Sequence, residues 1–241
     1  MKSGRTLLTI ACRVGSKGIR RKCERLVFGK LLAQWTIEQA LKYKLTDVDR
    51  IDVVLSTDSQ WIQKIGRDVF GEYNHNFVGR PEKLWGDHCG KPEVLKHILS
   101  SMYYYGNYDT LIDLDVCNPL REKFDIVLAN NLLNTIKTTR VISVARAPVN
   151  PFYNAYTKDS KAGAMDPLAP FTGWNFKRRQ DAPVVFIRNN SIFAYKTEWF
   201  ENMDDSEPWM PYYMPDNTGG VDVDHEHNLR WLECEMKHAG F

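Results

Sequence analysis

A short apolar run from Leu7 to Cys12 gives way to the loop Arg13-Val14-Gly15-Ser16-Lys17-Gly18-Ile19-Arg20-Arg21-Lys22, and the loop to a stretch from Leu31 to Lys44. The first run does not alternate and reads as a strand buried on both faces. In the last, Ala33, Ile37, Ala40 and Leu41 recur at helical spacing. Strand, basic glycine-containing loop and helix in this order imply an α/β sheet with parallel strands, whose ligands lie beyond the strands' carboxyl ends. Between Arg13 and Arg25 there are six basic residues and one acid, Glu24. Glycine lets the backbone approach an anion closely, and Lys or Arg neutralises it, so the loop is suited to phosphate.

The common phosphate-loop motifs do not fit. No G-x-G-x-x-G is present, and Gly29-Lys30 is no Walker A end, because Glu24 and Leu31 occupy the positions of its first glycine and its Ser or Thr. A length of 241 residues suits one α/β domain, and 43% hydrophobic with 26% charged residues argues against extended disorder. The formal charge of +2 makes any anion preference local and argues against a nucleic-acid binder. No signal-peptide pattern and no apolar run long enough to span a membrane are seen, so neither export nor a membrane is expected. Five scattered cysteines without a C-x-x-C pair point to reduced, space-filling thiols in the cytoplasm.

Further along, Ile51–Ser56 reads as a second strand, with Thr57-Asp58-Ser59 capping a helix from Gln60 to Phe70. A helix over 92–104 follows the irregular 77–87 segment, and strands are expected at Thr110–Val116 and Arg140–Arg146. The aromatic, proline-rich 148–183 stretch is too long for a minimal connection. Two strands over 184–188 and 191–195 are expected about an Asn189-Asn190 turn. Trp199, Phe200, Trp209, Tyr212 and Tyr213 read as packing or interface residues. Val221-Asp222-Val223-Asp224 precedes a helix over 225–237. On an extended segment residues i and i+2 point the same way, so Asp222 and Asp224 can face one hard cation. Asp224 can equally serve as the N-cap of the following helix.

These motifs together resemble the cytidylyltransferases that make CMP-activated acidic sugars. The opening Ala11-Cys12-Arg13-Val14-Gly15-Ser16-Lys17-Gly18-Ile19-Arg20-Arg21-Lys22-Cys23 is similar to that family's A-R-x-G-S-K-G-I/L-x-x-K-N. The likeness is to acylneuraminate (CMP-sialic acid) synthetases, with CMP-Kdo synthetases more distant. It continues through the V-L-S-T-D-S segment, through Arg80-Pro81 to Asp87, through Leu114 to Arg121 against L-Q-P-T-S-P-L-R, and through Arg178-Arg179-Gln180-Asp181 to the acidic pair.

The resemblance implies a three-layer Rossmann-like nucleotidyltransferase fold with a mostly parallel sheet and an inserted dimerisation segment. One domain would span 1–241, with 147–196 as an excursion for dimerisation and sugar binding. It implies transfer of CMP from CTP to the hydroxyl of an acidic sugar, with release of pyrophosphate. Arg13, Lys17 and Lys22 would neutralise phosphates; Ala11, Gly15, Ser16, Arg80 and Asp115 would lie at the nucleotide. Cys23, Asn118, Arg178, Arg179 and Gln180 would meet the sugar, and Asp222 and Asp224 would hold Mg²⁺, with Mn²⁺ as a substitute. A cytoplasmic homodimer is implied. Asp115 stands where the family has Gln, and Cys23 where it has Asn. These departures suggest an acceptor other than the common N-acylneuraminates, another eight- or nine-carbon sugar acid or a phosphonate. Two alternatives stay open: a glycosyltransferase using Asp113-Leu114-Asp115 as a D-x-D metal site, and a noncatalytic nucleotide-sugar sensor.

Overall fold

Six strands make the central sheet, and five of them run the same way. The computed structural model describes residues 4–46, 50–71, 76–84, 89–158, 165–167, 176, 178–219 and 221–240. Asp87, and the part of the 148–183 stretch absent from those ranges, lie outside the described residues. In chain order the elements begin β1 (Thr6–Ala11), β2 (Leu26–Val27), β3 (Lys30–Leu31), α1 (Leu32–Lys44), β4 (Ile51–Ser56) and α2 (Gln60–Phe70). There follow α3 (Lys91–Met102), β5 (Thr110–Leu114), α4 (Lys123–Thr135), β6 (Arg140–Arg146), α5 (Pro151–Asn154) and β7 (Tyr156–Lys158). The last are β8 (Met165–Pro167), β9 (Phe186–Lys196), α6 (Trp199–Asn202), β10 (Met210–Tyr213), α7 (Asp216–Gly219) and α8 (Glu226–His238).

The sheet order is β10-β6-β9-β5-β1-β4. β1 pairs in parallel with β4 and β5, and β10 with β6, whereas β9 is antiparallel to β5 and β6. The carboxyl ends of five strands and the amino end of β9 therefore open at one edge. Alternate residues serve opposite faces: Leu8, Ile10, Leu55 and Ile112 pack with α1, α2 and α4, and Leu7, Val54, Leu111 and Phe193 with α3 and α6. A third apolar cluster joins Ile19 and Val27 to Val221, Val223, Leu229 and Leu232, seating α8 against the first loop. Burying each such Leu, Ile or Val contributes about 1.5–3 kcal/mol, so this cluster is a firm seat. Among the described residues, no helix is long and apolar enough to cross a membrane.

Expectation and structure differ in the second half. Residues 186–196 form one strand, not two about a turn. Asparagine's tolerance of left-handed backbone is used, at Asn190 with φ 54°. It serves a bulge, where the register of β9 against β6 shifts between Ile142 and Val144. The Ser143 hydroxyl accepts the Ile192 amide at 2.8 Å and donates to Asn189 Oδ1 at 2.6 Å, satisfying polar groups the bulge displaces. Strand partners on both sides hold β9 extended, so the last eleven residues of the 147–196 span belong to the sheet.

The strand β10, not foreseen, carries Pro211 at the sheet's edge, where a missing N–H is tolerated. The helix expected over 92–104 ends at Met102 and tightens into a single 3₁₀ turn through Tyr105. Trp199 and Phe200 pack on Tyr195, with ring centroids 5.2 and 5.1 Å away, whereas Tyr213 is exposed against Phe186.

Candidate active site

The basic loop and the acidic pair, about two hundred residues apart in sequence, meet at the open edge of the sheet. Lys22 Nζ donates to Asp224 Oδ1 at 3.0 Å. Gly18 lies so close that a Cβ built there would sit 2.1 Å from the Asp224 carbonyl oxygen. Any other residue at 18 would force the two segments apart, which accounts for the glycine sterically. The loop is tied from its other side by Asp58, which accepts the Val14 amide at 2.8 Å. Asp58 therefore anchors the loop, and Ser59 caps α2 by accepting the Ile62 amide at 3.2 Å. Glu24, the loop's one acid, accepts the Ser59 hydroxyl and pairs with Arg21 Nε, both at 2.5 Å.

The two aspartates differ. Asp224 is 64% exposed and is not the N-cap of α8; His225 is, in a capping box with Asn228. Asp222 is half-buried, and Asn190 of the β9 bulge donates to its Oδ2 at 3.0 Å. Burial pushes the Asp222 carboxyl up to about 6; the Asn190 bond and Lys22 work against the rise, and the charges of Asp224 and Asp115 add to it. Burial works against the Lys22 ammonium too, but the Cys117 sulfur and Asp224 outweigh it and raise its pKa. A desolvated carboxyl beside a second carboxylate, open to phosphate oxygens and water, is the donor set Mg²⁺ accepts. The residues present fit such an ion.

On the other side of β1, Ala11, Arg13 and Arg80 line a cleft of about 240 Å³ with Leu84, Cys89 and Lys91. Three residues expected at a nucleotide thus converge. Lys91 was not foreseen. Its ammonium pairs with Asp113 Oδ2 at 2.9 Å and Asp115 Oδ2 at 2.6 Å, and lies 4.6 Å from the Phe193 ring centre. Burial alone would raise the Asp115 pKa, but Lys91 overrides it and holds that carboxyl well below the usual range. One oxygen of each D-x-D carboxylate is therefore engaged by a cation from within the protein. The only prior sign of this was a lysine at the first position of a helix, where the helix dipole disfavours a cation.

Gly15, Ser16 and Lys17 stand on the loop between Arg13 and Gly18, with Gly15 and Lys17 exposed. Cys23 is 5% exposed, packed in the core with its thiol toward the Arg13 carbonyl, 3.5 Å away. Asn118 is fully buried and donates to the Asn189 carbonyl at 3.3 Å. Both side chains are turned inward: Cys23 wedges the loop and Asn118 braces the β9 bulge. Arg178 is exposed and closes on Asp181 through bonds of 3.1 and 2.7 Å. Arg179 and Gln180 line a separate cleft of about 570 Å³ with Arg146 and Asn150. That cleft lies at the carboxyl end of β6, three strands from β1, or roughly 14 Å at ordinary strand spacing.

The chain is similar to several known proteins. The sequence profile of a family described as cytidylyltransferase matches residues 8–109. The post-translational flagellin modification protein B of Campylobacter coli is 30% identical over 235 residues, 96% of this chain and 94% of that protein. The CMP-N,N'-diacetyllegionaminic acid synthase of Campylobacter jejuni is 29% identical over 230 residues, 94% of this chain and 93% of that protein. Among solved structures, a CMP:2-keto-3-deoxy-manno-octonic acid synthetase complexed with CTP matches with a TM-score of 0.64. Its identity is 14%, over 98% of this chain and 100% of that one, and the likeness is one of fold.

Proposed function

The chain belongs to the cytidylyltransferase family, and from that premise we propose that it transfers CMP from CTP to the hydroxyl of an acidic sugar, a nonulosonic or ulosonic acid, releasing pyrophosphate. One observation carries the reading: the cationic loop and the carboxylate pair are in contact, through Lys22 and Asp224 at 3.0 Å and through Gly18. A triphosphate lying along 13–22 has its α-phosphate within reach of both.

Arg13, Lys17 and Lys22 neutralise the phosphates, with Ser16 and loop amides as further donors. Asp222 and Asp224 would hold Mg²⁺ or Mn²⁺. When bound, such an ion supplies Lewis-acid stabilisation of charge at the α-phosphate and eases ionisation of the acceptor hydroxyl. Asn190 fixes the Asp222 rotamer, and Lys22 that of Asp224. The acceptor oxygen forms its bond to the α-phosphorus in line as the bond to the bridging oxygen breaks; the hydroxyl proton is lost to water and pyrophosphate departs. The protein contributes position and preorganised charge, with no covalent intermediate. Arg179 and Gln180, beside Arg146, are suited to a sugar carboxylate, which a guanidinium binds through two parallel hydrogen bonds.

The acceptor we favour is a nine-carbon acid other than N-acetylneuraminate, since the strand-end turn 115–118 departs from the neuraminate-type pattern and one relative is named for N,N'-diacetyllegionaminic acid. Val149, Tyr153, Val184, Phe186, Ile187 and Tyr213 are exposed, and they support a homodimer through this end of the sheet, testable by light scattering. Pyrophosphate release with CTP, Mg²⁺ and a panel of nonulosonic, ulosonic and phosphonate acceptors tests the activity. Turnover with a nonulosonic acid is expected. Equal or faster turnover with N-acetylneuraminate defeats the acceptor assignment, and CTP binding without pyrophosphate from any acceptor makes the chain a sensor. The glycosyltransferase alternative is disfavoured by Lys91, whose ammonium holds both D-x-D carboxylates.

A further inference from the structure

A chain of contacts runs from the start of α3 to the acidic pair. Lys91 Nζ holds Asp115 Oδ2 at 2.6 Å. The other oxygen of that carboxylate accepts the Cys117 amide at 2.9 Å, curling the chain at the end of β5. The Cys117 carbonyl then accepts the amide of Val223 at 2.9 Å. Val223 lies between Asp222 and Asp224, so this backbone bond ties the segment that carries both carboxylates to the turn at the end of β5. Arg121 holds the turn from below: its guanidinium binds the Asp115 carbonyl, Thr36 Oγ1 at 2.8 Å and the Ser191 carbonyl at 2.6 Å.

Two features argue that the ion pair serves this turn and is not incidental. A lysine at the first position of a helix opposes the helix dipole, and the N-cap, Gly90, offers no side-chain cap. Local preference is thus given up at one point, which is where a chain answers to something beyond its own helix. Asp113 is fully buried; its Oδ1 accepts the Thr9 hydroxyl at 2.9 Å and its Oδ2 takes one N–H of the ammonium at 2.9 Å, which leaves the other ammonium donors for Asp115. The lysine is shared with Asp115, whose second oxygen is the one that organises the turn. A neutral amide at 115 could accept from Cys117 but would turn an N–H₂ donor toward the ammonium, so lysine and carboxylate are matched.

We propose that Lys91 and Asp115 are positioning residues of the active site, acting through the 115–118 turn and Val223 to set the Asp222 and Asp224 carboxylates. This rests on the cytidylyl-transfer reading for its kinetic consequence, though not for its structural one.

The test compares Asp115→Asn and Lys91→Gln with the native protein. Hydrogen exchange is followed by mass spectrometry on substrate-free protein, so its outcome does not depend on the reaction being identified correctly. In Asp115→Asn, which leaves the Lys91–Asp113 pair in place, exchange at the Val223 amide is expected to quicken at least tenfold while β1 and β4 amides keep their protection. In Lys91→Gln the Val223 amide is expected to quicken more than the β1 and β4 amides do. With the acceptor found by the pyrophosphate assay, kcat should fall tenfold or more and KM for CTP change less than threefold. Lys91→Arg, which keeps the charge, should recover part of both. Native exchange at Val223 in Asp115→Asn overturns the proposal. So does a uniform rise across the sheet in that variant, or its failure to fold, because Asp115 would then support the fold as a whole. Altered exchange with no turnover by the native protein on any acceptor would leave the relay standing and remove the transfer reading.

Discussion

Two aspartate pairs of identical spacing, Asp113/Asp115 and Asp222/Asp224, lie at the open edge of one sheet. Their fates are opposite. The first is packed under Lys91, and its Asp115 carboxyl is held well below the usual range. In the second, Lys22 pairs with Asp224 and the neutral Asn190 amide donates to Asp222, whose carboxyl is pushed up to about 6 by burial. A D-x-D pattern by itself therefore says that two carboxylates share a side. Whether they attract a metal is decided by what third group arrives, and that group comes from elsewhere in the chain.

Removing the neutralising group should break the contrast most severely. Lys91→Met leaves Asp113 as an uncompensated buried charge, and about 3–5 kcal/mol of stability should be lost, read from denaturant unfolding. Adding Asp113→Leu and Asp115→Asn to that variant should recover most of it. On the other pair, Asp222→Ala should lower kcat by roughly 10²- to 10³-fold, the scale of removing one preorganised charge-stabilising group, while the unfolding midpoint stays near the native value. Pyrophosphate release at the native rate by that variant would remove the metal assignment.

Lys22→Met takes away the contact between loop and pair. Pyrophosphate release at subsaturating CTP should fall about tenfold or more, on the scale of one charge-assisted bond of roughly 1.5–3 kcal/mol. The smallest effect belongs to Arg25→Ala. Its two bonds to Glu226, 2.5 and 2.9 Å, also join the loop region to α8, but both side chains are largely solvated. A loss within about 1 kcal/mol in thermal unfolding is expected. A loss comparable to that of Lys91→Met would mean that the loop is held by its rim and not by the core contact of Ile19 with Val221 and Val223.

Much of the first half was legible in sequence. The uninterrupted apolar runs of β1 and β4, the spacing in α1 and the Ser59 cap each lie where local chemistry put them, because short-range terms and burial agree there. In the second half they compete. Asn189-Asn190 looks like a hairpin turn, yet β9 has strand partners on both sides, and pairing with both outweighs a local turn preference. The burial of Cys23 and Asn118 was not legible for a related reason: a position in a motif does not say which way its side chain points. Lys91 was marked only by its place at the first position of a helix, against the dipole, and that says nothing of the buried carboxylates it meets.

From the residues alone came the parallel α/β layout, the phosphate-suited loop after the first strand and the candidate cation pair near the end, since periodicity and residue chemistry are properties of short segments. Which acid pair stays available, which side chains line the cleft and how loop and pair are held together depended on contacts spanning from about twenty to two hundred residues, as between Lys91 and Asp115 or Lys22 and Asp224. Electrostatic character is set by neighbours in space, and only the folded chain supplies them.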